Sequence, residues 1–155
     1  MENQYRILLV CRPGPQGESW EKALSDPSIR IIRALDGEQG LRRLEKESIQ
    51  ALLSEIHPQR IDIEHLLETA GRILPRPLRI VLADNPTVGE INHCLQAGFD
   101  RLESWDNPPG DFTSQFRAML QKQTVVLIED EAAESSPLDR LVGRAVRGQR
   151  TSSIG

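Results

Sequence analysis

The sequence predicts an α/β domain, a doubly wound sheet of five parallel strands with helices on both faces, followed by a C-terminal extension. Three observations predict it. Short apolar, β-branched runs alternate with segments of helical apolar spacing, which is the sequence form of a parallel sheet covered by crossover helices. Hydrophobic content of 38% with 27% charged residues is that of a soluble globular chain, and only 4% aromatic residues leaves Leu, Ile and Val to build the core. A length of 155 residues suits one well-buried domain plus an appendage and is too short for two ordinary domains.

The first strand is expected over Arg6 to Val10. After it, Arg12-Pro13-Gly14-Pro15-Gln16-Gly17 opens the first helix; it lacks the Gly-Lys-Ser/Thr ending of a phosphate-cradling loop, and its two prolines remove backbone donors, so a rigid connector is expected. The second strand covers Ile29 to Arg33. Asp36 with Gln39 forms a capping box before Leu41 and Leu44. The third strand covers Ala51 to Ser54. Asp62 caps a helix whose apolar stripe is Ile63, Leu66, Leu67, Ala70, Ile73 and Leu74, stopped by Pro75 and Pro77. The fourth strand covers Arg79 to Leu82, and Thr87 with Glu90 repeats the capping box before Ile91, Leu95 and Ala97. The fifth strand covers Arg101 to Glu103, and the last helix carries Phe112, Phe116, Met119 and Leu120. In such a sheet, chemistry is sought in the loops at the carboxyl ends of the strands.

Composition excludes several function classes. A net charge of −4 gives no general attraction to polyanions, so nucleic-acid binding is not expected of the domain itself. No apolar run approaches the roughly 20 residues that span a bilayer, and MENQYRILLV lacks the layout of a signal peptide; a cytoplasmic protein is expected. Cys11 and Cys94 lie far apart without metal spacing and read as small core residues, although Cys11 would become a reactive thiol if Arg12 lowered its pKa. His57, His65 and His93 stand on different elements and no four-ligand set completes them, so no metal and no cofactor are expected.

From Tyr5 to about Gln121 the chain resembles the receiver domain of bacterial two-component response regulators, a flavodoxin-like (βα)5 fold. RILLV resembles the family's first strand, LDGEQGLRRLE the entry to its second helix, ALLSEI the strand ending at the phosphoacceptor, and RIVLADNPTVGEINHCLQAGFDRLE the fourth strand through the fifth. Active receivers hold Mg²⁺ and accept phosphate with an acidic pair after the first strand and an aspartate after the third, since a small hard cation wants carboxylate oxygens. At the matching positions this chain has Cys11 and Arg12 for the acidic pair and Glu55 for the phosphoacceptor. Ala83 replaces the hydroxyl after the fourth strand, Ser104 the lysine after the fifth, Trp105 its proline neighbour, and Arg101 the aromatic of the activation switch.

The resemblance therefore implies a degenerate pseudo-receiver: a signalling and protein-interaction module rather than an enzyme. It would work without phosphorylation, docking a partner or a second copy through the fourth helix, fifth strand and fifth helix, with Arg101 and Trp105 on that face. Glu55 is expected as an edge carboxylate paired with Arg12, the alternative being a permanent imitation of phosphoaspartate. Two rival functions stay open: an unorthodox receiver phosphorylated on Ser54 or Asp84, and a small-ligand-binding flavodoxin-like protein.

The receiver-like domain is expected to end near residue 121, leaving 122–155 as extension or linker. TVVLIEDEAAE is either another strand or a continuation of the fifth helix. Ser136-Pro137 opens a possible amphipathic docking helix over 136–147, with Leu138, Leu141 and Val142 on its apolar side. TSSIG reads as a disordered tail. LDRLVGRAVRGQR resembles the stretch that joins a receiver to the ATPase module of enhancer-binding activators.

Overall fold

The computed structural model describes residues 4–134 except 107 and 109. Ten elements alternate: β1 Tyr5–Val10, α1 Pro15–Ala23, β2 Ile29–Ala34, α2 Gly37–Lys46, β3 Ala51–Glu55, α3 Ile63–Arg72, β4 Leu78–Ala83, α4 Val88–Ala97, β5 Arg101–Ser104 and α5 Phe112–Glu134. Each strand expected from the sequence is present, longer by a residue at one or both ends. All pairings are parallel and the sheet order is β2-β1-β3-β4-β5, the flavodoxin-like (βα)5 arrangement. Because β2 leaves β1 on one side and β3 on the other, the strand order reverses between β1 and β3, which opens a crevice at their carboxyl ends.

The pleat sends alternate residues of each strand to opposite faces. Leu8 and Val10 of β1, Leu52 of β3 and Val81 of β4 join Leu44 of α2, Leu66 and Leu67 of α3 and Cys94 of α4 in one buried cluster. Ile7 and Leu9 go to the opposite face. There Trp20 of α1 meets the edge of Phe112 at 4.9 Å, and Phe112 stacks on Phe116 at 5.5 Å. The Trp20 Nε1–H donates to the Trp105 carbonyl at 3.0 Å, so the one polar atom of that indole is satisfied inside the core.

The caps explain where the helices start. Thr87 and Glu90 form the full reciprocal box, Thr87 Oγ1 accepting from the Glu90 N–H at 3.1 Å and Glu90 Oε1 from the Thr87 N–H at 2.8 Å. Asp36 accepts from the Gln39 N–H at 2.8 Å, but Gln39 reaches back to the Leu35 N–H rather than to Asp36, so this box is shifted by one residue. Asp62 Oδ1 accepts from the Glu64 N–H at 3.1 Å. The expected α3 stripe needs one correction. Ile63, Leu66, Leu67 and Ala70 are buried, but the helix stops at Arg72, and Leu74 beyond it is 89% exposed because the chain ahead of Pro75 has left helical phase.

Between β4 and α4 the packing is tight. Arg79 is buried at the start of β4, its backbone N–H on Asp100 Oδ2 at 2.9 Å and its Nη1 directed at the Leu67 carbonyl at 3.4 Å; burial lowers its pKa. Gly98 at the end of α4 has φ +103°, and a Cβ there would lie 2.6 Å from Arg79 Nη1. The backbone there favours glycine, and any side chain would also have to displace the Arg79 guanidinium.

The chain divides into two units, Met1–Arg117 and Ala118–Gly155. TVVLIEDEAAE lies within α5 and is helical, not an extra strand. No Gly or Pro interrupts Phe112–Glu134, and the β-branched residues cost only a few tenths of a kcal/mol each against continued helix. The possible docking helix with Leu138, Leu141 and Val142 lies outside the described residues. Among the described residues no helix is long and apolar enough to cross a membrane.

Candidate functional site

The crevice where the strand order reverses is built from the last residues of β1 and β3. Val10 pairs with Ser54, so the next residues, Cys11 with Arg12 and Glu55, meet at the carboxyl edge. Glu55 is 3% exposed, which corrects the expectation of a surface carboxylate: as the last β3 residue it still pairs with Leu82 of β4 and is covered on both sides. Its Oε2 accepts the Arg12 backbone N–H at 2.8 Å. Its Oε1 accepts Arg12 Nε at 3.0 Å and is 2.9 Å from Nη2. One residue thus occupies both carboxylate oxygens, by main chain and side chain together.

Cys11 is buried beside them and free. Its thiol pKa is pushed up to about 11, chiefly by burial, with Arg33 opposing and the nearby Glu55 and Glu21 adding to the rise. Cys11 is the small core residue that the sequence suggests, and the alternative of activation by Arg12 is not met: the thiol stays protonated at neutral pH, and the cation beside it is Arg33, itself 3.1 Å from Glu21. Ala83, nearly buried, pairs in register with exposed Ser104 at the ends of β4 and β5. Ser54 is fully buried and donates its hydroxyl to the Glu55 carbonyl at 2.9 Å, while Asp84 is exposed. Arg101 joins β5 to α5, Nε on the Glu103 carboxylate and Nη2 on Gln115 Oε1 at 3.0 Å. Trp105 is half-buried, and its N–H donates to the Ala83 carbonyl at 3.0 Å.

A second opening lies further along the same edge. The loop after β3, the start of α3 and one side of α4 enclose a cleft of about 510 Å³. His57 Nε2 is 2.6 Å from Glu90 Oε2, and His93 Nε2 is 3.5 Å from Asp62 Oδ1 and 3.3 Å from Glu64 Oε1. The histidines do stand on different elements, as the sequence indicates. What sequence reasoning missed is that α3 and α4 are neighbours, so a residue of one meets the capping carboxylates of the other. Spacing along the chain carries no signal for this, because all of β4 separates them.

No protein-family model and no curated protein matches the chain. Solved structures do. A CheY-like response regulator receiver domain from Methanospirillum hungatei superposes with a TM-score of 0.70 at 22% identity, over 79% of this chain and 98% of that one. The receiver domain of an HD domain-containing protein from Pseudomonas fluorescens gives 0.71 at 22% identity, over 81% and 93%. The chain has the receiver-domain fold. A third receiver domain, from a sensor histidine kinase of Pseudomonas aeruginosa, gives 0.63 at 23% identity over 77% and 97%, and that protein has magnesium coordinated in its active-site cleft.

In this receiver fold the residues at the β1–β3 crevice do not fit Mg²⁺. A hard cation needs several free oxygen ligands. The two positions after Val10 offer a protonated thiol and a guanidinium, and both oxygens of Glu55 already receive hydrogen bonds from Arg12.

Proposed function

We propose that this domain is a receiver-type signalling module that works without phosphorylation, presenting a protein-docking face in place of a phosphoryl-transfer site. It acts as an interaction module, not as an enzyme. The observation that carries the reading is the bond set of Glu55: its charge is met by Arg12, so the position is neither a free metal ligand nor a spare negative charge that imitates phosphate. The burial of Ser54 argues against phosphorylation there. The docking face is the outer side of α4 with β5. Val88, 74% exposed, half-buried Ile91 and Leu95, 54% exposed, recur at the spacing of one helical stripe, and Arg101 and Trp105 lie on the neighbouring strand and loop. A partner protein or a second copy of the chain would cover that stripe.

The test is titration with Mg²⁺ and beryllofluoride, followed by amide shifts. Resonances around Cys11, Arg12 and Glu55 are expected to stay in place. Specific, saturable shifts there would overturn the proposal.

A further inference from the structure

The cleft between α3 and α4 lies apart from the β1–β3 crevice, and its chemistry stands whether or not that crevice is ever phosphorylated. Its lining includes Asp62, Glu90, His57, His93 and Cys94 but no Lys or Arg, so no permanent cation balances its carboxylates. Three donor atoms, Asp62 Oδ1, Glu64 Oε1 and His93 Nε2, lie within 4.8 Å of one another. We propose that these three residues form a site for a divalent transition metal, and that Zn²⁺ is the ion their donors suit.

Geometry supports this. In tetrahedral zinc coordination with bonds of about 2.0–2.1 Å, neighbouring ligand atoms stand about 3.3 Å apart. The His93 nitrogen is 3.3 Å from the Glu64 oxygen and 3.5 Å from the Asp62 oxygen, and all three atoms lie within 4.8 Å of one another, so a metal fits among them once the partly exposed Glu64 side chain adjusts. An imidazole nitrogen with two carboxylates suits Zn²⁺, whereas Mg²⁺ and Ca²⁺ prefer oxygen throughout. Three protein ligands leave the fourth position to solvent or to a donor from a partner.

The donors are also held in place. Asp62 is the N-cap of α3, and its Oδ1 accepts the Glu64 N–H at 3.1 Å, which fixes the Asp62 carboxylate at the helix start and places Glu64 in the same first turn through its backbone. One effect opposes cation binding there, since a helix N-terminus carries roughly half a positive charge. Two carboxylates outweigh it. A metal so held would tie the start of α3 to the middle of α4, the helix that carries Val88 and Leu95.

The experiment uses the full chain, stripped with chelator and titrated with ZnCl₂ by calorimetry, with the imidazole signals followed by NMR. One Zn²⁺ per chain is expected, with Kd below about 100 µM, and the His93 signals shift while excess Mg²⁺ leaves them unmoved. His93→Gln and Asp62→Asn should each weaken binding by about tenfold or more. Asp62→Asn keeps the helix cap, because Asn caps as well as Asp, so its loss of zinc cannot be blamed on unfolding. The double variant His57→Gln/His65→Gln, which leaves His93 as the last of the chain's 3 histidines, should retain the affinity. Absence of saturable binding at about 1 mM zinc, or binding undiminished in His93→Gln and Asp62→Asn, or binding lost in the double variant, overturns the site and leaves His93 as an ordinary ion-pair partner.

Discussion

The β1–β3 crevice and the α3–α4 cleft sit on the same edge of one sheet and both gather carboxylates, yet they meet them differently. At the crevice, Glu55 is nearly inaccessible and is held by a guanidinium, which is always charged and presents a fixed fork of donors. At the cleft, Asp62, Glu64 and Glu90 face imidazoles, whose charge depends on conditions and whose nitrogen can also bind metal. The walls differ as well. α3 is anchored by Ile63, Leu66, Leu67 and Ala70, whereas α4 buries only Cys94 fully. The lesson is that the permanence of the cationic partner, rather than the number of carboxylates, separates a closed site from one that can still take a ligand.

The largest expected effect tests the two walls. Leu66→Ala should cost about 2–5 kcal/mol in urea unfolding, since it empties a fully buried position. Leu95→Ala on the exposed α4 surface should stay within about 0.5 kcal/mol. Equal costs would break the contrast between an anchored and a lightly held helix.

A middle-sized effect tests the closed crevice. Arg12→Ala should lose about 1–3 kcal/mol, because Glu55 is left buried with one main-chain donor. The loss stays below that of a fully buried pair because the Arg12 side chain is 53% exposed. Adding Glu55→Gln to Arg12→Ala should recover part of the loss in the same unfolding assay. If the double variant is no more stable than Arg12→Ala, Glu55 is not the stranded charge.

The smallest effect lies at the open cleft. Glu90 is held below its ordinary value of 4.5, first by the Thr87 N–H and then by His57. A lowered folded pKa means that the stabilisation is present above about pH 4.5 and is lost as pH falls through the lower folded value. Amide protection in the first turn of α4, taken relative to the intrinsic exchange rate at each pH, should therefore fall between about pH 5 and 3, and Glu90→Gln should flatten that dependence. An unchanged pH profile would detach the cap from the cleft.

The architecture was legible because local rules and global fold agree. Ile7–Val10 is apolar and buried throughout, as a central strand covered on both faces must be, and the Thr87–Glu90 box starts α4 at the residue that the spacing predicts. The residue types of the crevice, Cys11, Arg12 and Glu55, were legible by position. Their state was not. Whether Glu55 is an edge charge or a buried one depends on β4 lying beside β3, a pairing that no local pattern encodes.

By itself the sequence determined the alternation of elements, the caps, the helix–strand periodicity and the absence of an acidic pair after β1, because each is settled within a few residues along the chain. Only the tertiary structure decided that Arg33 rather than Arg12 is the cation beside Cys11, that Arg12 holds both oxygens of Glu55, and that His93 meets Asp62 and Glu64. The reason is distance. Caps and periodicity act within a helical turn or a strand, whereas these contacts join residues that come together only when crossover connections lay strands and helices side by side.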